Sequence, residues 1–136
     1  MTRPAELSMA ARRDLMATTA NPGERYDYMV TLEGCFAIAA SDYPVAAALR
    51  YVADRRLLSL DAFNGYLGCL VGGAWPTLEA VAITMLGDVN NQLIPRWAQI
   101  KLVAGPGERG GRHAVIIEDC QPGWHNPSLL ARVTVD

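Results

Sequence analysis

Tyr26-Asp27-Tyr28-Met29-Val30-Thr31-Leu32-Glu33 sets Tyr26, Tyr28, Val30 and Leu32 against Asp27, Met29, Thr31 and Glu33 in strict alternation. Successive side chains of an extended chain point to opposite faces, so this repeat predicts a strand with one face in a core. Gly34 is a candidate bulge, with the strand resuming through Cys35-Phe36-Ala37-Ile38. Ser41-Asp42-Tyr43-Pro44 then reads as a turn, and Val45–Val52 as a second strand closing an antiparallel hairpin with the first.

Beyond the hairpin the apolar period lengthens. Ser59 is a candidate N-cap for a helix with Leu60, Phe63, Leu67 and Leu70 on one stripe, stopped by Gly72-Gly73. Pro76 suits the first turn of a second helix, in which Leu78, Val81, Ala82, Met85, Leu86 and Val89 share a face; Asn90-Asn91 and Pro95 close it. Trp97–Ala104 predicts a third strand and residues 113–118 a fourth, joined by the glycine-rich run Gly105-Pro106-Gly107-Glu108-Arg109-Gly110-Gly111. The resulting order is β-β-α-α-β-β: an α+β domain, with one antiparallel four-stranded sheet and both helices on one face. Upstream, residues 1–24 form an N-terminal arm, either disordered or holding a short helix at 12–17, that ends in the turn Asn21-Pro22-Gly23. The domain occupies 25–119, and the C-terminal tail 120–136 holds a loop at Pro122-Gly123 and a candidate strand at 130–135.

Composition narrows the class. The 136 residues suffice for one cored domain, and 51% hydrophobic with 19% charged residues describes a globular chain. A net charge of −2 offers no electrostatic footprint for nucleic acid or an anionic membrane. No apolar run reaches the ~20 residues that span a bilayer, and the first residues lack the apolar stretch of a signal peptide, so a cytoplasmic location is expected. Cys35, Cys69 and Cys120 are widely spaced, with no CxxC and no histidine at ligand spacing. Neither a metal site nor a disulfide framework is expected.

Several short motifs recur in order. Tyr26-Asp27-Tyr28-Met29-Val30 resembles the "RDYxV" of the 7-cyano-7-deazaguanine nitrile reductases, and Arg50-Tyr51-Val52-Ala53-Asp54 their "SYxPD". Tyr66-Leu67 matches their "YL", Leu78-Glu79 lies where they carry "HE", and Asp88 falls in their "NDL" stretch. Pro95-Arg96-Trp97 resembles "PRY", and Arg109-Gly110-Gly111 the "PRGGI" turn. The resemblance covers residues 25–118 and implies a tunnelling fold (T-fold), whose subunits assemble through sheet edges into homo-oligomeric barrels with active sites between subunits. It further implies a nucleophilic cysteine, a proton-transferring aspartate downstream of it, a glutamate gripping the heterocycle, and an E-S-K-S-x-K motif for NADPH.

The chain departs from that chemistry. Its E-S-K-S-x-K position reads Ser59-Leu60-Asp61-Ala62-Phe63-Asn64, without either lysine, so NADPH is not expected as a cofactor. The nucleophile's position falls at Phe36, with Cys35 one residue away and hence on the opposite strand face unless a bulge intervenes. The aspartate's position falls at Tyr43, beside Asp42.

Glu79 is retained. A carboxylate in a helix's first turn is favoured by the macrodipole and can accept two hydrogen bonds from the N–H edge of a purine- or pterin-like ring. It equally serves as a plain dipole partner. Cys35 is a candidate nucleophile or a small structural side chain, and Cys69 and Cys120 read as structural. Asp42 and Tyr43 are candidate acid/base groups or turn residues. His113 and His125 could move protons, or be exposed histidines of no special role.

The reading is a repurposed T-fold enzyme acting without NADPH on a small cyclic or heteroaromatic substrate, by cyclisation, hydrolysis, condensation or isomerisation, in specialised metabolism. Cys35, Asp42 and Tyr43 are its candidate catalytic residues and Glu79 its substrate anchor. The alternatives are a non-catalytic oligomeric binding or assembly protein, and a deazapurine-modifying enzyme that uses Cys35.

Overall fold

In the computed structural model, which describes residues 8–133, a four-stranded antiparallel sheet runs β2 (Met29–Phe36), β3 (Val45–Val52), β5 (Trp97–Ala104), β6 (His113–Cys120). Helices α2 (Leu60–Leu70) and α3 (Leu78–Leu93) connect its two hairpins. A two-stranded sheet pairs β1 (Thr18–Ala20) with β4 (Arg56–Leu58), and short helices α1 (Met9–Asp14) and α4 (Pro127–Leu130) lie near the ends. The α+β order expected from the alternating and helical periods is present.

One parity of each strand meets the helices. Val45, Leu49 and Tyr51 on β3 and Ile100 and Leu102 on β5 are fully buried with Phe63, Tyr66, Leu67 and Leu70 of α2 and Val81, Met85 and Val89 of α3. Burial of one such side chain contributes about 1.5–3 kcal/mol, so this layer is the main stabilising term. The stripe on α2 differs in one member: Leu60 is 49% exposed, and Tyr66 takes the core position. Residue 60 opens the helix, before its apolar face has turned onto the sheet.

The hairpin β2–β3 is in unbroken register, with Glu33 opposite Ala48, Gly34 opposite Ala47 and Cys35 opposite Ala46. Gly34 therefore makes no bulge. It faces α2, where an added Cβ would stand 2.6 Å from Asn64 Oδ1 and 2.8 Å from Leu67 Cδ1. The glycine lets the helix approach the strand. Strand β2 also begins later than the alternation suggests: Tyr26 is in a turn (its N–H donates to Gly23 O at 3.0 Å), and Tyr28 precedes the first paired residue. Residues 37 and 38 leave the strand.

Helix caps set the ends of both long helices. Ser59 and Thr77 each accept a hydrogen bond from the amide three residues on, at 3.1 Å. Pro76 thus precedes the cap of α3 and is not in its first turn. That helix continues past Asn90-Asn91 to Leu93 and ends at Ile94 with φ 45°, a left-handed conformation unusual for a β-branched residue.

Of the two forms expected for the arm the helical one is present, and the tail departs from expectation. From Ser8 onward the arm is an ordered part of the domain: Met16 is fully buried, and Arg12 and Arg13 reach Asp88 of α3. Its helix, Met9–Asp14, starts earlier than 12–17, because Ser8 caps it through Ala11 N at 3.1 Å. In the tail, residue 130 ends a helix instead of opening a strand, since Asn126 caps the turn that follows it and Pro127 sits in its first turn. Residues 134 and 135 lie outside the described residues. Among the described residues, no helix is long and apolar enough to cross a membrane.

Candidate functional site

A cleft of about 470 Å³ opens where three connections meet: the β2–β3 turn, the start of α3, and the glycine-rich β5–β6 turn. The cap at Thr77 fixes the first turn of α3 and so places Glu79 at the cleft. His113 is the first residue of β6, paired with Ala104 on the helix-facing side of the sheet. The two elements bring His113 Nε2 to 2.8 Å from Glu79 Oε2. Against a carboxylate Nε2 is the donor, which leaves Nδ1 of a neutral imidazole as an acceptor. This hydrogen bond from His113, followed by one from a backbone amide of its own residue, lowers the Glu79 pKa below the ordinary carboxyl value. Glu79 is therefore ionised at neutral pH.

The side chains of Glu79 and His113 are 53% and 52% exposed, so the pair is open to a ligand and screened by water. Asp42 and Tyr43 also line the cleft. Their turn is held by Ser41, whose Oγ donates to Tyr43 O at 2.8 Å and accepts from Tyr43 N at 3.2 Å. Tyr43 is 47% exposed, a ring free to meet a ligand.

Of the four residues singled out in the sequence, the fold gathers three: Asp42, Tyr43 and Glu79. Cys35 is not among the cleft's lining residues. It is exposed on the sheet face away from the helices, because the unbroken register sends Phe36 into the core. Burial raises the Cys69 thiol to about 11, which leaves it protonated near neutrality. His125 is exposed on the tail and lies outside the cleft. His113 is the member of the site that sequence reading undervalued. Its only signal was its place at the start of a strand, and the pairing with Glu79 depends on packing across 34 residues.

The helix start that would carry the NADPH motif is the beginning of α2. Its Ser59 side chain is engaged in capping, and its first turn offers the acidic Asp61 and no basic group. These residues do not fit a phosphate-bearing cofactor. Among the described residues, no group of three or more His, Cys, Asp or Glu side chains is placed to hold a metal ion.

Most motifs that carry the family resemblance meet in structural knots. Arg96 bonds Asp27 at 3.0 Å and Asp54 at 3.4 Å, while Trp124 and Asn126 of the tail also donate to Asp27. Tyr66 OH donates to Asp88 Oδ2 at 2.5 Å, beside the two arginines of the arm. Only Leu78-Glu79 and the Gly110-Gly111 turn fall at the cleft. Comparison of the chain with protein-family models and with curated proteins finds no match.

Proposed function

We propose that this chain is a T-fold subunit, assembled with copies of itself, that acts as an enzyme without NADPH on a small cyclic or heteroaromatic molecule bound at the Glu79–His113 cleft. The observation that carries the reading is the 2.8 Å pair itself, in an open cleft that Asp42 and Tyr43 also line. Glu79 uses one oxygen to hold His113 and keeps the other for the N–H edge of a ring. His113, oriented by that carboxylate, takes or gives a proton through Nδ1, as acid/base catalysis requires. Tyr43 offers a face for stacking and Asp42 a second carboxylate. Such proton movements can assist cyclisation, isomerisation, hydrolysis by a water molecule, or condensation with loss of water. The β-β-α-α-β-β order supports the T-fold assignment, and the outer edges of β2 and β6, without a partner strand among the described residues, support assembly.

Thermal-shift screening against purines and pterins tests the reading. A binding ring raises Tm, and Glu79→Gln weakens that ring by about tenfold or more, because its paired donors lose their charged acceptor. If no planar heterocycle shifts Tm, the reading fails. A second reading, a binding or assembly protein without catalysis, draws on the position of Cys35 away from the cleft. Once a substrate is found, His113→Ala separates the two. An enzyme loses turnover by on the order of 100-fold or more while still binding, whereas a pure binder has no turnover to lose.

A further inference from the structure

The cleft holds one arginine, Arg112, directly before His113. It is exposed, and among the described residues no carboxylate pairs with it, although Arg12, Arg13 and Arg96 all have acidic partners. Its backbone is held by a close crossing of the glycine-rich turn. Gly105, at φ 121°, lies so near that an added Cβ would stand 2.8 Å from Gly111 O and 3.1 Å from Arg112 Cα. Gly107 N donates to Gly111 O at 3.1 Å, closing the loop. The crossing thus places Arg112, with no carboxylate partner among the described residues, at the same cleft as Glu79 and Asp42.

A cleft with an acidic wall and one cation fits a molecule of mixed character. The N–H edge of a ring meets Glu79, and an acidic group attached to that ring meets Arg112. A guanidinium binds a carboxylate or phosphate through two parallel charge-assisted hydrogen bonds, a geometry that water-exposed ammonium groups do not match. Resting on the proposed cleft function, we infer that Arg112 is the specificity-determining residue for a substrate carrying an anionic substituent, either a carboxylate or a phosphate.

The test measures binding of two ligand pairs by calorimetry to the purified full chain: pterin against 6-carboxypterin, and guanosine against its 5′-monophosphate. Wild-type protein is expected to prefer the acidic member of at least one pair by about tenfold, the size of one charge-assisted contact, and the pair that gains identifies the acid. In Arg112→Gln that preference disappears, while the neutral ring binds within about twofold of wild type; Arg112→Lys recovers only part of it. Equal affinity within both pairs in the wild type overturns the inference, as does a preference that survives Arg112→Gln. Both results leave the cleft reading standing, provided the neutral ring still binds. If no member of either pair binds, this inference falls, and the cleft reading falls with it only if no planar heterocycle shifts Tm.

Discussion

Asp88 is 1% exposed, yet it accepts from Arg12 Nε at 2.6 Å, Arg13 Nε at 2.8 Å and Tyr66 OH at 2.5 Å. Burial alone would raise its pKa, but the bonds from Arg12, Tyr66 and Arg13 outweigh that and lower it. Asp88→Ala, measured by urea unfolding, should cost about 3–5 kcal/mol, since it strands two partly buried cations. The pH dependence follows from the same lowering. Above the unfolded carboxyl value near 3.9 the stabilisation is whole; as pH falls through the native value, the unfolded chain takes up the proton first and the stabilisation drains away. The wild type should therefore lose stability on acidification more steeply than Asp88→Asn, and parallel pH profiles would refute this account. None of this network could be read at residue 88 itself. An aspartate among Leu86, Val89 and Leu93 on a helix looks like a stray polar group until the arm supplies its partners. The place of Glu79 in the first turn of a helix, by contrast, was legible, because that position needs no distant residue to be recognised.

Helix α3 and the β5–β6 turn hold the cleft, and each carries a conformation that glycine suits. Ile94 ends α3 at φ 45° with its side chain 63% exposed. Ile94→Gly should relieve the left-handed strain and raise stability by about 1 kcal/mol, seen as a higher urea midpoint. At the turn, Gly105 is the reverse case: Gly105→Ala should cost about 1–3 kcal/mol and weaken ligand binding at the cleft, because Cβ meets backbone rather than a movable side chain. Unchanged stability and binding would show that the turn yields freely. The long elements were readable because each owns a full apolar face, as β3 and α3 do. Strands β1 and β4 were not: three residues are too few to show a period, and Thr18–Ala20 finds Arg56–Leu58 only through tertiary pairing. The tail misled for a related reason. Leu129 and Leu130 are half-buried beside a cap and a proline, so local capping governs them rather than alternation.

At the scale of the molecule, β2 and β6, each eight residues long, have one edge with no partner strand among the described residues. Light scattering at micromolar concentration should give a multiple of the 14.7 kDa chain mass; a mass of one chain across all dilutions would remove assembly from the proposed function. The sequence foretold the layers but not how the ends are tied, because both knots join residues far apart: Asp27 with Arg96 and the tail, and Arg12 with Asp88 across 76 positions. That last separation also orders events in time. During synthesis Arg12 and Arg13 emerge early and have no partner until α3 has left the ribosome. Closing so long a loop is slow compared with winding a helix. Docking of the segment around Arg12 is then expected to come late, and a protease added under native conditions should nick it before any strand of the sheet.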